Sequence, residues 1–551
     1  AGVMIPSLCY LKELNEIGAC RVCVVEIEGT QTLVPSCNSP LQEGMVIHTN
    51  SPRVREARKI NVELILSQHD GRCSSCVRGG NCALQAIAND LGILENLYPV
   101  QAPPNDWTRS FPLYREASKC IKCMRCIKVC ESVQGLGIWD LTNRATHTAV
   151  GTRGRAPIGK TDCVACGQCI THCPTGALRE RDDTETVFDA LADPDKIVLV
   201  QIAPAVRSAW GEELGIPRDE ATVERLACAL RRVGFEYVFD TDFSADLTIM
   251  EEGSELLKRL GEAAKGEGDS RSWPMFTSCC PGWVKFLEHQ FPDLLYMPST
   301  AKSPQQMFGA IAKSYYAEKI GVKPQDIIVV SVMPCLAKKY EASRPEFSHD
   351  GVRDVDIVIS TRELADMIRE AGIQFAELDD QPYDSPLGDS TGAAVIFGAT
   401  GGVLEAALRT AADWLAKEDL QEIDFKAVRG IKGIKEATVT IAGLELRVAV
   451  CSGLGNARKL LEKIRQGKAN YQAIEIMACP GGCLNGGGQP YHHGHGKILM
   501  GAIYEDGRNQ PIRKSHQNPA IQQLYAEYLG EPGSHFAHKL LHTHYSDRSR
   551  K

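Results

Sequence analysis

From about residue 195 onward, short apolar runs alternate with amphipathic segments. The runs Lys196 to Ala203, Ile327 to Met333, Val355 to Ser360, Leu446 to Cys451 and Ala473 to Ala478 have strand length and strand composition. Strands separated by helical patterns predict α/β architecture. Two helix starts are legible: Ser303 precedes Pro304 at the first helical position, and Ser360 with Glu363 forms a capping box. In I-M-E-E-G-S-E-L-L-K-R, Glu252, Glu255 and Arg259 fall at i, i+3 and i+7 on one helical face, which on pattern alone is a solvated acidic face. Cys228 sits in a helical pattern and Cys451 ends an apolar strand, so both are expected to be core thiols. Before residue 195 the texture differs. V-C-V-V-E-I-E-G-T (22–30) alternates and then turns like a hairpin, which suits a small β-rich module.

Composition narrows the class. A chain of 551 residues allows roughly three to five domains, and 43% hydrophobic with 24% charged residues describes an ordinary globular protein. The formal charge of -8 argues against general polyanion binding, so no nucleic-acid partner is expected. The longest apolar stretches, such as Ile327 to Met333 and Ala393 to Phe397, fall far short of a membrane span. Twenty-two cysteines, many in C-x2-C steps and with no secretory segment before them, point to metal ligation in a reducing compartment rather than to a disulfide framework. A cytoplasmic location is expected. The chain starts at Ala1 and soon reaches Cys9, which predicts that an N-terminal strand pair of the first module lies outside this sequence.

The cysteines fall into blocks. Cys9, Cys20, Cys23 and Cys37 (C-x10-C-x2-C-x13-C) can hold a 2Fe-2S cluster, and four thiolates could also hold zinc. His69, Cys73, Cys76 and Cys82 (H-x3-C-x2-C-x5-C) offer three thiolates and an imidazole, enough to complete a cubane of raised potential. Cys120, Cys123, Cys126, Cys130 and then Cys163, Cys166, Cys169, Cys173 repeat C-x2-C-x2-C-x3-C, as in two-cluster bacterial ferredoxins. There the fourth cysteine of each run ligates the other cluster. Cys120, Cys123, Cys126 and Cys173 are thus expected to hold one 4Fe-4S cluster, and Cys163, Cys166, Cys169 and Cys130 a second. Pro174 follows the second run as that motif expects, whereas Glu131 takes the place of proline after the first.

Three further motifs lie downstream: T-S-C-C-P-G-W with Cys279 and Cys280, M-P-C-L-A-K-K with Cys335, and M-A-C-P-G-G-C-L-N-G-G-G-Q-P with Cys479 and Cys483. Glycine permits close approach of backbone and cofactor, and thiolates are soft ligands suited to iron–sulfur chemistry. In this order the three motifs resemble the signatures of the catalytic domain of FeFe hydrogenases. The blocks before them resemble that family's accessory-cluster region, whose 2Fe-2S module and His-ligated site are shared in part with the large iron–sulfur subunit of NADH dehydrogenase. The resemblance implies a multidomain α+β and α/β chain. Its parts would be a β-grasp-like 2Fe-2S ferredoxin module (1–52), a small His/Cys cluster module (53–100), a two-4Fe-4S ferredoxin-like module (101–190) and a two-lobed α/β catalytic domain (191–551) with a small-subunit-like tail.

The resemblance also implies an H-cluster: a cubane on Cys280, Cys335, Cys479 and Cys483, with Cys483 bridging to a diiron unit that bears carbonyl, cyanide and a dithiolate. Three further 4Fe-4S clusters and one 2Fe-2S cluster complete the set. Lys338 matches the position that donates to a cyanide, whose charge would compensate a buried ammonium. Gln305, Met333, Phe397, Gly398 and Met477 match other pocket positions, and Ala205 stands where many relatives carry serine. Cys279 is left over from a cubane with four protein ligands, so it can act as the first proton carrier. The relay implied from it is Cys279, Glu252, Ser299, Glu255, Arg259.

The expected activity is reversible oxidation of dihydrogen, with ferredoxin as partner, flavin subunits that bind NAD(P) as possible further partners, and maturation proteins for the diiron unit. Ferredoxin docking is expected at Lys119, Lys122, Arg125 and Lys128. Two other readings stay open: an iron–sulfur electron-transfer subunit, which leaves the later cysteines unexplained, and a noncatalytic relative such as an assembly factor or a hydrogen sensor. F-G-A-T-G-G-V (397–403) is not a dinucleotide fingerprint. His492, His493, His495, His535, His538, His542 and His544 are expected in exposed loop and tail.

Overall fold

The computed structural model describes residues 2–105, 107–267, 269, 272–421, 423–491 and 496–550. His492, His493 and His495 lie outside the described residues. Among those described, no helix is long and apolar enough to cross a membrane. The chain divides into two compact units: 1–163 with 168–181, and 164–167 with 182–551.

In the first unit, the alternating run forms Val24–Ile27, the central strand of a three-stranded antiparallel sheet between Val34–Pro35 and Ile47–His48. Its apolar positions join a small core of Leu8, Val22, Val62, Leu84 and Ala88 beneath the helices Pro52–Leu66 and Ala83–Asp90. The first of these helices starts cleanly because Ser51 Oγ accepts from the Val54 amide and Pro52 presets the first turn. Two short antiparallel pairs follow, Leu113–Arg115 with Leu178–Glu180 and Trp139–Thr142 with Ala149–Thr152.

The second unit holds two four-stranded sheets. The first is parallel throughout and is built from β1 (Ile197–Ile202), β2 (Tyr237–Asp240), β4 (Ile327–Met333) and β5 (Ile357–Ser360), in the order β5-β4-β1-β2. The second, in the order β3-β8-β7-β6, runs through β3 (Met275–Phe276), β8 (Ala473–Met477), β7 (Leu444–Ser452) and β6 (Ile434–Ile441). Only the pairing of β6 with β7 is antiparallel. Strands β1 and β4 are apolar but for Gln201 and Ser331, which hydrogen-bond to each other across the sheet at 2.8 Å, as suits a parallel sheet covered by helices on both faces. Each fully buried Val, Leu or Ile there contributes about 1.5–3 kcal/mol. The helix α1 (Thr241–Ala264) leaves directly from β2, capped by the Asp240 carboxylate on the Asp242 amide.

Four sequence expectations change. Strands β1, β5 and β8 are shorter than their apolar runs, and β7 extends to Leu444–Ser452 because its antiparallel partner β6 carries pairing further. The Ser360–Glu363 capping box forms, but Ser303 makes no cap hydrogen bond, since its hydroxyl turns to Glu341 Oε2 at 2.8 Å. The basic stretch is not an open patch. Lys119 is buried and paired with Glu116 at 3.1 Å, Lys122 donates to Gln68, and Arg125 donates to the carbonyls of Cys9 and Tyr10. Lys128 is left partly exposed, beside Glu131. The C-terminal histidines are not all loop and tail either. His535 and His538 lie in the helix His535–Leu541, and the His542 side chain is buried.

Candidate metal centre

The signature motifs meet in one cavity of about 80 Å³ inside the second unit. Its walls are the segments that leave four strands at their C-terminal ends: Ala203–Ala205 after β1, Cys279–Pro281 beyond β3, Met333–Cys335 at the end of β4 and Met477–Cys479 at the end of β8. Open α/β sheets place ligand sites there. Gln305, Lys338, Phe397, Gly482, Cys483 and Gly486 close the cavity. Gly482 has φ +92°, and a Cβ there would meet the Thr400 nitrogen at 2.5 Å, so the turn that presents Cys483 requires glycine. Gly398, in contrast, does not line the cavity. It packs against Ile503 and Ala205, where a Cβ would come within 2.6 Å of Ile503 Cδ1.

Five cysteines therefore share one pocket. Burial raises the pKa of all of them: Cys335 to about 12, and Cys279, Cys280, Cys479 and Cys483 upward as well. Such sulfurs become thiolates when a cation shares the site, as ligation of iron requires. The Ala478 amide donates to Cys280 Sγ at 3.4 Å. Gln305 Oε1, on the same wall, is buried without a hydrogen-bond partner. A soft, sulfur-rich pocket with largely apolar walls and an orphan polar atom fits an iron–sulfur group.

Lys338 is neither solvated nor reliant on a bound anion. Its Nζ donates to Glu341 Oε2 at 2.9 Å and to the Cys279 carbonyl at 3.1 Å. Burial alone would lower its pKa, but the Glu341 carboxylate outweighs that and holds it above the usual value. The same carboxylate oxygen accepts from Ser303 Oγ and from Gln305 Nε2 at 3.0 Å. The one local sign of Glu341 in the sequence is its i+3 spacing from Lys338 in M-P-C-L-A-K-K-Y-E.

The acidic face of α1 is buried, not solvated. Glu252 accepts from the Ser278 amide at 3.1 Å and from Ser278 Oγ at 3.2 Å. Burial pushes its pKa up to about 7. Glu255 accepts from Ser299 Oγ at 2.8 Å and from the Thr300 amide at 3.0 Å, and pairs with Arg259 at 2.5 Å. Arg259 also donates to the carbonyls of Ser272, Met297 and Pro298. The structure thus joins Ser299, Glu255 and Arg259 directly. Among the described residues no hydrogen bond links Glu252 to Cys279 or to Ser299. Ser278 stands between, and only its place beside Cys279 could have flagged it.

His542 adds a contact that no local pattern signals. Its Nδ1 meets Thr300 Oγ1 at 2.8 Å and its Nε2 meets Glu251 at 2.9 Å, more than 200 residues away in sequence. The Gly533 amide also donates to that Glu251 carboxylate. Replacing His542 by alanine should leave buried acceptors short of a partner, at about 1–3 kcal/mol. Hydrogen exchange across 535–541 should accelerate correspondingly, and an unchanged rate would contradict this.

The first unit gathers its own thiols. Cys120, Cys123, Cys126 and Cys173 line one cavity, the interleaved set expected from the repeat. Cys130 lies beside Cys163, and Cys166 belongs to the segment grouped with the second unit. Cys9 adjoins Cys20 and Cys37 adjoins Cys23; hydrogen bonding between the first two raises the Cys9 thiol and lowers Cys20 to about 5. Cys82 lies near Cys76, whereas Cys73 is exposed. His69 is buried with Nδ1 unpartnered. Cys228 and Cys451 are buried away from these groups, in a helix and in β7.

Comparison with known proteins agrees with this arrangement. Residues 196–487 match the family described as iron-only hydrogenase large subunit, C-terminal domain, and 500–548 match the iron hydrogenase small subunit. Upstream, residues 1–52 match a 2Fe-2S iron–sulfur cluster binding domain, 58–96 the iron–sulfur binding region of NADH-ubiquinone oxidoreductase G, and 119–177 a 4Fe-4S dicluster domain. The chain is 52% identical to the NADP-reducing hydrogenase subunit HndD of Solidesulfovibrio fructosivorans, over 99% of this chain and 94% of that protein. It is 40% identical to iron hydrogenase 1 of Clostridium pasteurianum, over 98% and 95%. A solved [FeFe]-hydrogenase from Chlamydomonas reinhardtii superposes with a TM-score of 0.60 at 43% identity, covering 67% of this chain and all of that one. With its catalytic fold, its iron–sulfur modules and these relatives in agreement, the chain belongs to the iron-only, or FeFe, hydrogenases.

Proposed function

We propose that this hydrogenase interconverts dihydrogen with two protons and two electrons at an H-cluster whose cubane Cys280, Cys335, Cys479 and Cys483 would hold, with Cys483 also anchoring the diiron unit. The observation that carries this reading is the convergence of five cysteines, two buried and three half-buried, with Lys338 and Met477 on one cavity at the C-terminal ends of two sheets. When bound, the H-cluster supplies the bond-breaking chemistry and exchanges the electrons. The apolar walls Met333, Phe397 and Met477 and the Lys338 ammonium would seat and orient its diiron part. Infrared spectra of the matured protein should show carbonyl and cyanide bands. Their absence would reduce the chain to an electron carrier.

The chain's own residues move the protons. Cys279 holds one beside the cluster position and exchanges it with Glu252, a step that Ser278 assists through its two bonds to the Glu252 carboxylate. From there Ser299 and Glu255 carry it outward, and Arg259, which keeps its own protons, ends the relay by holding the Glu255 carboxylate in place. A carboxyl that titrates near neutral pH suits a group that must both take and give a proton. Burial favours its neutral form, so the folded state binds more protons than the unfolded state between the usual 4.5 and about 7. Stability therefore falls as pH rises through that window. Glu252→Gln should flatten the fall and raise the unfolding midpoint at pH 8 relative to pH 5.5, while turnover drops by about 10²-fold or more. Parallel pH profiles for the variant and the parent would contradict this assignment.

Electrons follow the cysteine-rich modules that precede the catalytic domain in sequence. The four cysteine and histidine blocks, over 1–52, 53–100 and 101–190, hold one 2Fe-2S and three 4Fe-4S clusters that lead to the catalytic domain at 191–551. The external partner is a ferredoxin. The relationship to a subunit named NADP-reducing supports further partner subunits that bind NADP.

A further inference from the structure

Residues 141–161 contain Arg144, Arg153, Arg155 and Lys160 and not one aspartate or glutamate, in a chain whose net charge is -8. This stretch folds as the hairpin Trp139–Thr142/Ala149–Thr152 and the turns Arg153–Arg155 and Ile158–Lys160 that follow it. All four cationic residues are exposed, as is His147. Asn143, Arg144, His147 and Arg155 line one open surface pocket, with Arg155 held toward Asn143 Oδ1 at 2.6 Å. Arg153 is partly neutralised by Asp140 at 3.6 Å, an exposed pair of little strength.

The base of the same hairpin rests on redox positions. The Ile138 amide donates to Cys130 Sγ at 3.4 Å, and Trp139 and Val150 line the cavity of Cys120, Cys123, Cys126 and Cys173. A cationic tip is thus joined, through one short ribbon, to both runs of the four-cysteine repeat. The lysines and arginine of 119–128 cannot serve this role, because three of the four are engaged internally.

We propose that this hairpin is the docking surface for a small acidic electron-carrier protein, which exchanges electrons with the cluster on Cys120, Cys123, Cys126 and Cys173. The inference rests on the reading of those cysteines as a cubane site. Each encounter passes one electron, with no bond made or broken, so two encounters balance the two electrons of one dihydrogen. Complementary charge would act mainly on the encounter rate and its salt dependence.

The test uses the full, matured chain with an acidic two-cubane ferredoxin as protein probe and methyl viologen as a small-molecule donor. In the double variant Arg144→Glu, Arg155→Glu, the KM for ferredoxin should rise about tenfold or more and its dependence on ionic strength should flatten, while viologen-driven hydrogen evolution stays within about a factor of two. Calorimetric binding of ferredoxin to the chain before diiron loading should weaken in parallel. Arg144→Glu with Lys160→Glu leaves the Arg155–Asn143 bond in place, so it checks the same effect should the first variant lose iron. Unchanged ferredoxin KM and binding in an iron-replete variant would overturn the proposal. Equally tight binding of a basic carrier such as cytochrome c to the parent would overturn it too. Failure of the hydrogenase reading would look different, as a parent chain without viologen-driven turnover.

Discussion

Replacing Cys279 by serine is expected to abolish hydrogen turnover, by at least the 10²–10⁴-fold typical of a positioned acid–base group, while every iron–sulfur cluster still assembles. Serine preserves the shape of the side chain but not its acidity, since a hydroxyl loses its proton far less readily than a thiol. The loss should therefore be chemical, not structural. Cys279 is buried and its pKa is raised, chiefly by burial and then by the Glu252 charge, so it rests as a neutral thiol ready to donate. Cys280 next to it keeps the Ala478 amide on its sulfur in the variant, because that contact comes from the backbone beyond β8. Iron content and the paramagnetic signals of the reduced clusters should match the parent. Retained turnover within about tenfold would remove Cys279 from the proton path, and loss of iron would recast it as a structural thiol.

The parts of this molecule that could be read in sequence are those whose cause is local. Strand β4 coincides with the run Ile327 to Met333 because this β-branched segment, whose one polar side chain Ser331 is paired with Gln201, suits burial on both faces in the middle of a parallel sheet. The Ser360–Glu363 box formed because both of its hydrogen bonds lie within one helical turn. Cysteine spacing gave the interleaved set around Cys173 for the same reason: the repeat carries its own geometry. What escaped was set at long range. Ser303 has the right residue type for a cap, yet Glu341 draws its hydroxyl away. Lys119 and Arg125 look like a solvated basic face until Glu116 and the Cys9 and Tyr10 carbonyls claim them. His542 looked like a tail residue because nothing nearby in sequence announces Glu251 or Thr300 as its partners.

Glu341 should prove as sensitive as the cysteines around it. Its Oε2 accepts from Ser303, Gln305 and Lys338, and its side chain is 5% exposed. Glu341→Ala removes the partner of a buried ammonium and two further acceptor contacts in one step. Breaking a buried pair from one side costs about 3–5 kcal/mol, because the remaining charge is left uncompensated. The damage should concentrate where those donors sit, at the start of the helix Pro304–Ile311 and along Ala337–Ala342. Hydrogen exchange of those amides should accelerate about a hundredfold or more, at 1.4 kcal/mol per factor of ten. Glu341→Gln keeps an acceptor for Ser303 and Gln305 but gives up the charge, so it should fall between the alanine variant and the parent. Replacing Lys338 and Glu341 together by methionine should recover most of the lost protection, since an apolar pair of similar size replaces the ionic one. It should not recover turnover, because the donor that Lys338 presents to the cavity is gone. If the alanine variant exchanges at the parent's rate, the ion pair does not hold this wall of the pocket. If the double methionine variant turns over normally, Lys338 has no part in seating the diiron unit.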